Sequence, residues 1–434
     1  MKKCDVHKKN WAKYLAYLGV FCITAVLLFA GLVSSYLLPN GRIREHIADA
    51  SNVINAEGSY PLDFTYEDGA ILDNYTDAII LGISYDKDAD HMNILQRAMG
   101  NYYFKVEDNP VDSLKDVTTN TDVETNQSYS RYWFGTVGVV RFLLEFMDFI
   151  DIRKFLLVVV SGLIFTVILL TIKKVGWQYG VAVAVVMFLA RPWLIGVSLQ
   201  FAPVFIITLI EMIVVYTLEG HAKREDVLPF VFIVGGVLTA FFDLLTVPLI
   251  SLGLPLVVMM LIDIRNHKKG LIKKMIKFCV LWVVSYALMF VLKWWIASIV
   301  LEQNVFEIAF NQLLVRADIN SSFSKFAMLK RNLGAYFGFW GGAILVLFTA
   351  GWLIFMKVAG GLRKSIIADV KQLLPMLIMI VIPIVWYLVM ANHSYIHYWM
   401  TNRLLTISLL AFLFSEIWLF EKARSKKVKS TDAI

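Results

Sequence analysis

A carboxylate held out of bulk water can accept or give up a proton near neutral pH, and the segment ILDNYTDAII (71–80) offers two candidates. Asp73 and Asp77 lie four residues apart, with Asn74 between them. On a helix that spacing places both acids on one face, where like charges destabilise by a few tenths of a kcal/mol. A cationic partner, a helix N-terminus or a catalytic task would offset the repulsion. The flanking Ile71, Leu72, Ile79, Ile80 and Leu81 point to a packed setting. The plainer alternative is that Asp73 caps a helix beginning at Asn74 while Asp77 faces water. In the functional reading, Asp73 or Asp77 is the general base toward a substrate hydroxyl.

A second constellation is NHSYIHYWMTNR (392–403). His393 and His397 are four apart, but no third ligand accompanies them, so a metal is not expected. Together with Arg403 they suit an anion, such as the phosphate of a lipid carrier. The rival reading is an aromatic interfacial belt with incidental histidines. Arg316, Lys330 and Arg331 would add positive charge to the same surface. The segment YSRYWFGTVGVVRFLLEFMDFIDI (129–152) carries Arg131, Tyr132, Trp133 and Arg141 as further candidates for substrate contact. It is too charged to span a bilayer and is expected to lie as a helix in the outer interface; the alternative is a helix packed within a small outer domain. Asp243 at the outer end of one apolar run is either functional or a cap on the next helix. Arg191, beside Pro192, would want an acid or a phosphate if buried. Glu211 reads as structural.

The elements that must position these residues are membrane helices. Of 434 residues, 58% are hydrophobic and only 17% charged, with a mean hydropathy of +0.65. A soluble domain carries about a quarter charged residues. Ten apolar runs approach or exceed the length needed to cross a bilayer core: 12–37, 153–172, 177–197, 199–218, 228–244, 247–264, 275–300, 338–357, 373–391 and 403–420. Basic clusters stand at the start of the chain and after the second, fourth, sixth, eighth and tenth runs, which predicts that both termini are cytoplasmic. The expected organisation is a cytoplasmic N-terminus and first span (1–37), a large outer loop (38–152), a bundle of about nine spans (153–420) and a basic cytoplasmic tail (421–434). The loop holds twenty of the thirty-four acidic residues.

The net charge of +7 is spread over these orientation signals and does not suggest nucleic acid. Cys4, Cys22 and Cys279 form no disulfide framework. Phosphate-binding, hydrolase and metalloprotease motifs are absent. DKDADH (86–91) looks like half of a calcium loop but lacks its glycine and its final glutamate. Outer carboxylates, interfacial cations and many spans together suggest glycosyl transfer from a polyprenyl-phosphate sugar. An acid would deprotonate the acceptor, cations would stabilise the departing phosphate, and direct displacement would invert the anomeric centre. That chemistry needs no metal or other cofactor.

The layout of one span, a large first outer loop with acids and interfacial helices, and then a helical bundle resembles the GT-C superfamily of polytopic glycosyltransferases. The resemblance implies an all-α polytopic membrane enzyme of a bacterial plasma membrane. It also implies a lipid-linked sugar donor, a glycan or lipid-linked acceptor and a catalytic acid in the first outer loop. Asp73 and Asp77 would inherit that role, although in the superfamily the acid commonly follows the first span closely, where this chain has Glu45 and Asp49. YSRYWFG…VRFLLEFMDFIDIR and ANHSYIHYWMTNRLLTIS are similar to segments of multi-span bacterial proteins associated with cell-surface polysaccharide. Those proteins usually read R-Y-W-H-G where this chain has Phe134. The alternatives are a flippase or transporter of lipid-linked glycan, a polysaccharide polymerase or ligase, and a non-catalytic scaffold.

Overall fold

The computed structural model describes residues 2–63, 65, 67, 69–106, 109–120, 122–317, 324–338, 342 and 371–431. The described residues are all-α apart from a two-stranded ribbon, in which Tyr102 pairs with Ser128 and Tyr103 with Gln127. Among the described residues, five helical stretches are long and apolar enough to cross a membrane: Trp11–Ser35, Phe149–Lys174, Arg224–Phe242, Leu271–Leu301 and Tyr398–Lys422. The first helix, α1 (Lys2–Ser35), leaves Trp11, Leu15, Leu18, Ile23 and Val26 more than half exposed. A contiguous apolar face of that size belongs against lipid rather than water. This is an α-helical membrane protein.

Five helices build the body that follows α1: α2 (Asn40–Glu57), α3 (Asn74–Tyr85), α4 (Ile94–Gly100), α5 (Pro110–Thr119) and α6 (Gly135–Leu144). Their ends are written locally. Asn93 and Gln96 form a reciprocal capping box on α4, and Asn109 followed by Pro110 opens α5. One apolar core joins this body to the ends of α1, α11 (Arg224–Phe242) and α13 (Leu271–Leu301). A second core lies between α7 (Phe149–Lys174), α8 (Trp177–Leu189), α10 (Phe201–Thr217), α12 (Leu249–Arg265) and the helices Leu374–Val389 and Leu405–Thr431.

Three expectations change. The 129–152 segment is not one interfacial helix: α6 ends at Leu144, and Asp148 caps α7 by accepting the Asp151 amide at 2.8 Å. The second apolar helix therefore starts at Phe149 rather than 153. α6 packs Val137, Val140, Arg141 and Leu144 inward while Phe142 faces outward, so it belongs to the loop body and still presents an apolar edge. The third predicted run, 177–197, is broken at Arg191–Pro192. Proline disfavours a helical residue before it, and Arg191 adopts φ +59°, which separates α8 from the short α9 (Pro192–Val197). The predicted eighth run, 338–357, lies outside the described residues except for 338 and 342.

Candidate functional site

The two acids of the 71–80 segment do different things. Asp73 is the N-cap of α3: Oδ1 accepts the Thr76 amide and Oδ2 the Thr76 hydroxyl, both at 3.0 Å. Each oxygen keeps room for a further donor. The carboxylate is fully buried by protein, yet it lines a cavity of about 640 Å³. Burial pushes its pKa up to about 6, against the pull of Thr76, Trp399 and Arg403. The buried Trp399 indole N–H stands near this carboxylate without a well-formed hydrogen bond to any group.

Asp77 turns elsewhere. It accepts the Leu199 amide at 3.0 Å, the Gln200 amide at 3.1 Å and the Ser198 hydroxyl at 3.2 Å. These donors come from the turn joining α9 to α10, so Asp77 ties the loop body to the bundle. Burial raises its pKa to about 7, opposed first by Arg153. It does not line the cavity. The expected shared face is therefore absent, because a cap residue lies outside the helical phase of the residues it caps. Asp77 is also not the water-facing residue of the plainer alternative. Glu45 and Asp49 are exposed on α2 and do not line the cavity either.

Besides Asp73, the charged side chains described on the cavity wall are cationic. Arg131 lies over the Tyr129 ring at 4.3 Å and the Tyr132 ring at 5.2 Å. Arg316, near the end of α14 (Val305–Ala317), donates to His397 Nε2 at 2.6 Å. Among the described residues, neither guanidinium is paired with a carboxylate. A guanidinium only donates, so His397 Nε2 carries a lone pair and its proton sits on Nδ1. His393 Nε2 meets the Leu245 carbonyl at 2.8 Å and must carry its proton there. Burial holds both imidazoles well down, His397 to about 3 and with Arg316 adding to the effect. Both are neutral. The histidines line the cavity as expected, but the charge for an anion comes from Arg131 and Arg316.

The remaining candidates have structural partners and do not line the cavity. Asn74 bridges Glu57, Gly58 and Arg153 at 2.8–2.9 Å. Trp133 is fully buried and donates to the Met289 carbonyl at 2.8 Å. Arg141 spends its donors on the Ser35 and Ser84 carbonyls and on Asn40, at 3.0, 2.6 and 2.7 Å. Arg191 finds the acid it was expected to want in Glu67, at 2.7 Å, and also holds the Ala335 carbonyl. Arg403 holds the carbonyls of Ala190 and Trp399 and lies 4.3 Å over Phe201. It sits behind the wall, where its charge still favours ionised Asp73. Asp243 ends α11, fully buried, with Oδ2 unpartnered. Its chain neighbours Leu244 and Leu245 reach the site, through the wall and through His393 respectively.

Sequence reasoning missed the aromatic wall. Tyr60 stacks on Tyr75 at 5.7 Å and meets Trp399 edge-on at 5.2 Å. Tyr75 and Trp399 fall in the two stretches singled out from the sequence, but no local spacing marks their packing with Tyr60. Comparison with family models, with curated proteins and with solved structures yields no match.

Proposed function

We propose that this chain is a GT-C-like membrane glycosyltransferase. It moves a sugar from a polyprenyl-phosphate donor to a glycan or lipid-linked acceptor at the outer face of a bacterial plasma membrane. About ten spans and cytoplasmic termini complete this reading. The observation that carries it is one buried carboxylate, Asp73, sharing a cavity with two guanidiniums that no described carboxylate neutralises. Asp73 takes the proton of the acceptor hydroxyl as its oxygen attacks the anomeric carbon. The bond from that carbon to the phosphate oxygen breaks, and its electron pair leaves with the phosphate. Arg131 and Arg316 meet the growing negative charge. Attack from the face opposite the departing phosphate inverts the centre. The tyrosine rings offer flat apolar faces to the C–H side of a sugar.

The test is release of polyprenyl phosphate from purified protein given polyprenyl-phosphate sugars and candidate acceptors. Release should be lost in Asp73→Asn and reduced in Arg316→Ala. Release that survives both substitutions would remove Asp73 and Arg316 from the chemistry. Lipid translocation without release from any donor would replace the transferase with a flippase.

A further inference from the structure

An apolar groove of about 270 Å³ runs between α13 and α14 beside the cavity. Tyr286, Phe290 and Trp294 form its α13 side, with Ala309 and Leu313 opposite on α14. Arg131, Tyr132 and Arg316 line the groove and the cavity alike. The groove is thus hydrocarbon and aromatic along its length and cationic at the end where it meets Asp73's chamber. On α14, Phe310, Leu314 and Val315 are more than half exposed, as on a helix that rests against lipid. Val291 and Leu313, on the groove's own walls, are exposed as well, so the groove is open along that flank.

We infer that this groove binds the first isoprenoid units of an anionic polyprenyl carrier, its phosphate held at the junction by Arg131 and Arg316. The inference rests on the transferase reading for its choice of carrier. Charge decides between this groove and the larger apolar pocket of about 390 Å³ between α1, α6 and α11. That pocket is walled by residues such as Leu28, Leu32, Gly138, Phe142 and Phe241 and, among the described residues, by no charged side chain. An anionic headgroup there would have no partner, and burying it unpaired is costly. His397 completes the design. A carboxylate behind Arg316 would cancel its charge, whereas a neutral imidazole fixes the guanidinium and leaves the charge for the ligand.

The experiment is photo-cross-linking in lipid nanodiscs with a diazirine-bearing farnesyl phosphate and the matching farnesol. The phosphate probe should label peptides spanning 286–294 and 309–316, about tenfold or more over the alcohol, as charge-assisted bonds favour the ionised head. Arg316→Gln should erase that preference. Ala287→Phe, at an exposed position on the groove's rim, should reduce labelling without loss of thermal stability. Labelling of the α1–α6–α11 pocket instead, or equal labelling by phosphate and alcohol, overturns the inference. The probe carries no sugar, so the two ideas fail separately. Groove labelling with no transfer from any donor removes the transferase and keeps the groove. Transfer with an unchanged donor KM in Ala287→Phe removes the groove and keeps the transferase.

Discussion

Asp73 caps α3 and, on the proposed reading, also serves as the base, two roles that one substitution can separate. As an N-cap it satisfies the first turn of α3, and asparagine caps about as well as aspartate. As a base it must accept a proton, which an amide cannot do. Asp73→Asn should therefore leave thermal unfolding in detergent nearly unchanged while lowering transfer by about 10²–10⁴-fold. The pH dependence follows from the raised pKa. The base works only when ionised, so the rate should climb as pH rises through about 6 and level off above it. A rate that is flat across that window would point to a different base. Asp77→Asn should behave in the opposite way. It turns an N–H toward the Leu199 or Gln200 amide and leaves a buried donor unsatisfied, costing about 1–3 kcal/mol. Stability should fall before any specific loss of catalysis. The residue types at 73 and 77 were legible in the sequence, but their division of labour was not. It depends on where the 198–200 turn lies, and that turn is over a hundred residues away.

At the scale of elements, the loop body is fastened by buried arginines rather than by apolar contact alone. Arg141 of α6 reaches the end of α1, the start of α2 and the end of α3 at once. Arg97 pairs with Asp86, the residue that ends α3, and Asp86 lies 3.7 Å from Arg141. Replacing Arg141 with leucine strands two carbonyls and the Asn40 side chain and leaves Asp86 with less compensation. Loss of a buried charged partner costs about 3–5 kcal/mol. Arg141→Leu should lower the unfolding temperature and expose the α2–α5 segment to limited proteolysis, whereas Arg141→Lys should recover part of the loss. Intact protease resistance in the leucine variant would contradict this role. The sequence showed Arg141 as a charge on an aromatic, amphipathic stretch, which suggested the membrane surface. Nothing local revealed that three other elements would turn carbonyls and an amide toward it. Element type was easier to read than element breaks. Apolar length marked α7, α11 and α13, while the division of α8 from α9 followed from one proline whose effect depends on tertiary fit.

For the molecule as a whole, the alternation of basic connections predicts that the cavity opens outside the cytoplasm, which is what an anchored donor and an external acceptor require. The clusters that set this prediction also form structure. Arg224, Asp263 and Lys274 join α11, α12 and α13 at one end of the bundle, and Arg265 joins α12 to Tyr179 and Glu421 at that same end. Asp73, Arg131, Arg316 and the two histidines gather at the other end. The orientation can be measured without reference to activity. In a background with Cys4, Cys22 and Cys279 replaced by serine, Thr119→Cys and Lys269→Cys each place one thiol at an exposed position on opposite ends. A membrane-impermeant maleimide added to intact cells should label Thr119→Cys and spare Lys269→Cys until the cells are opened. The reverse pattern would place Asp73 on the cytoplasmic side. The acceptor would then have to be cytoplasmic, and an outer-face transfer reaction could not occur in this cavity.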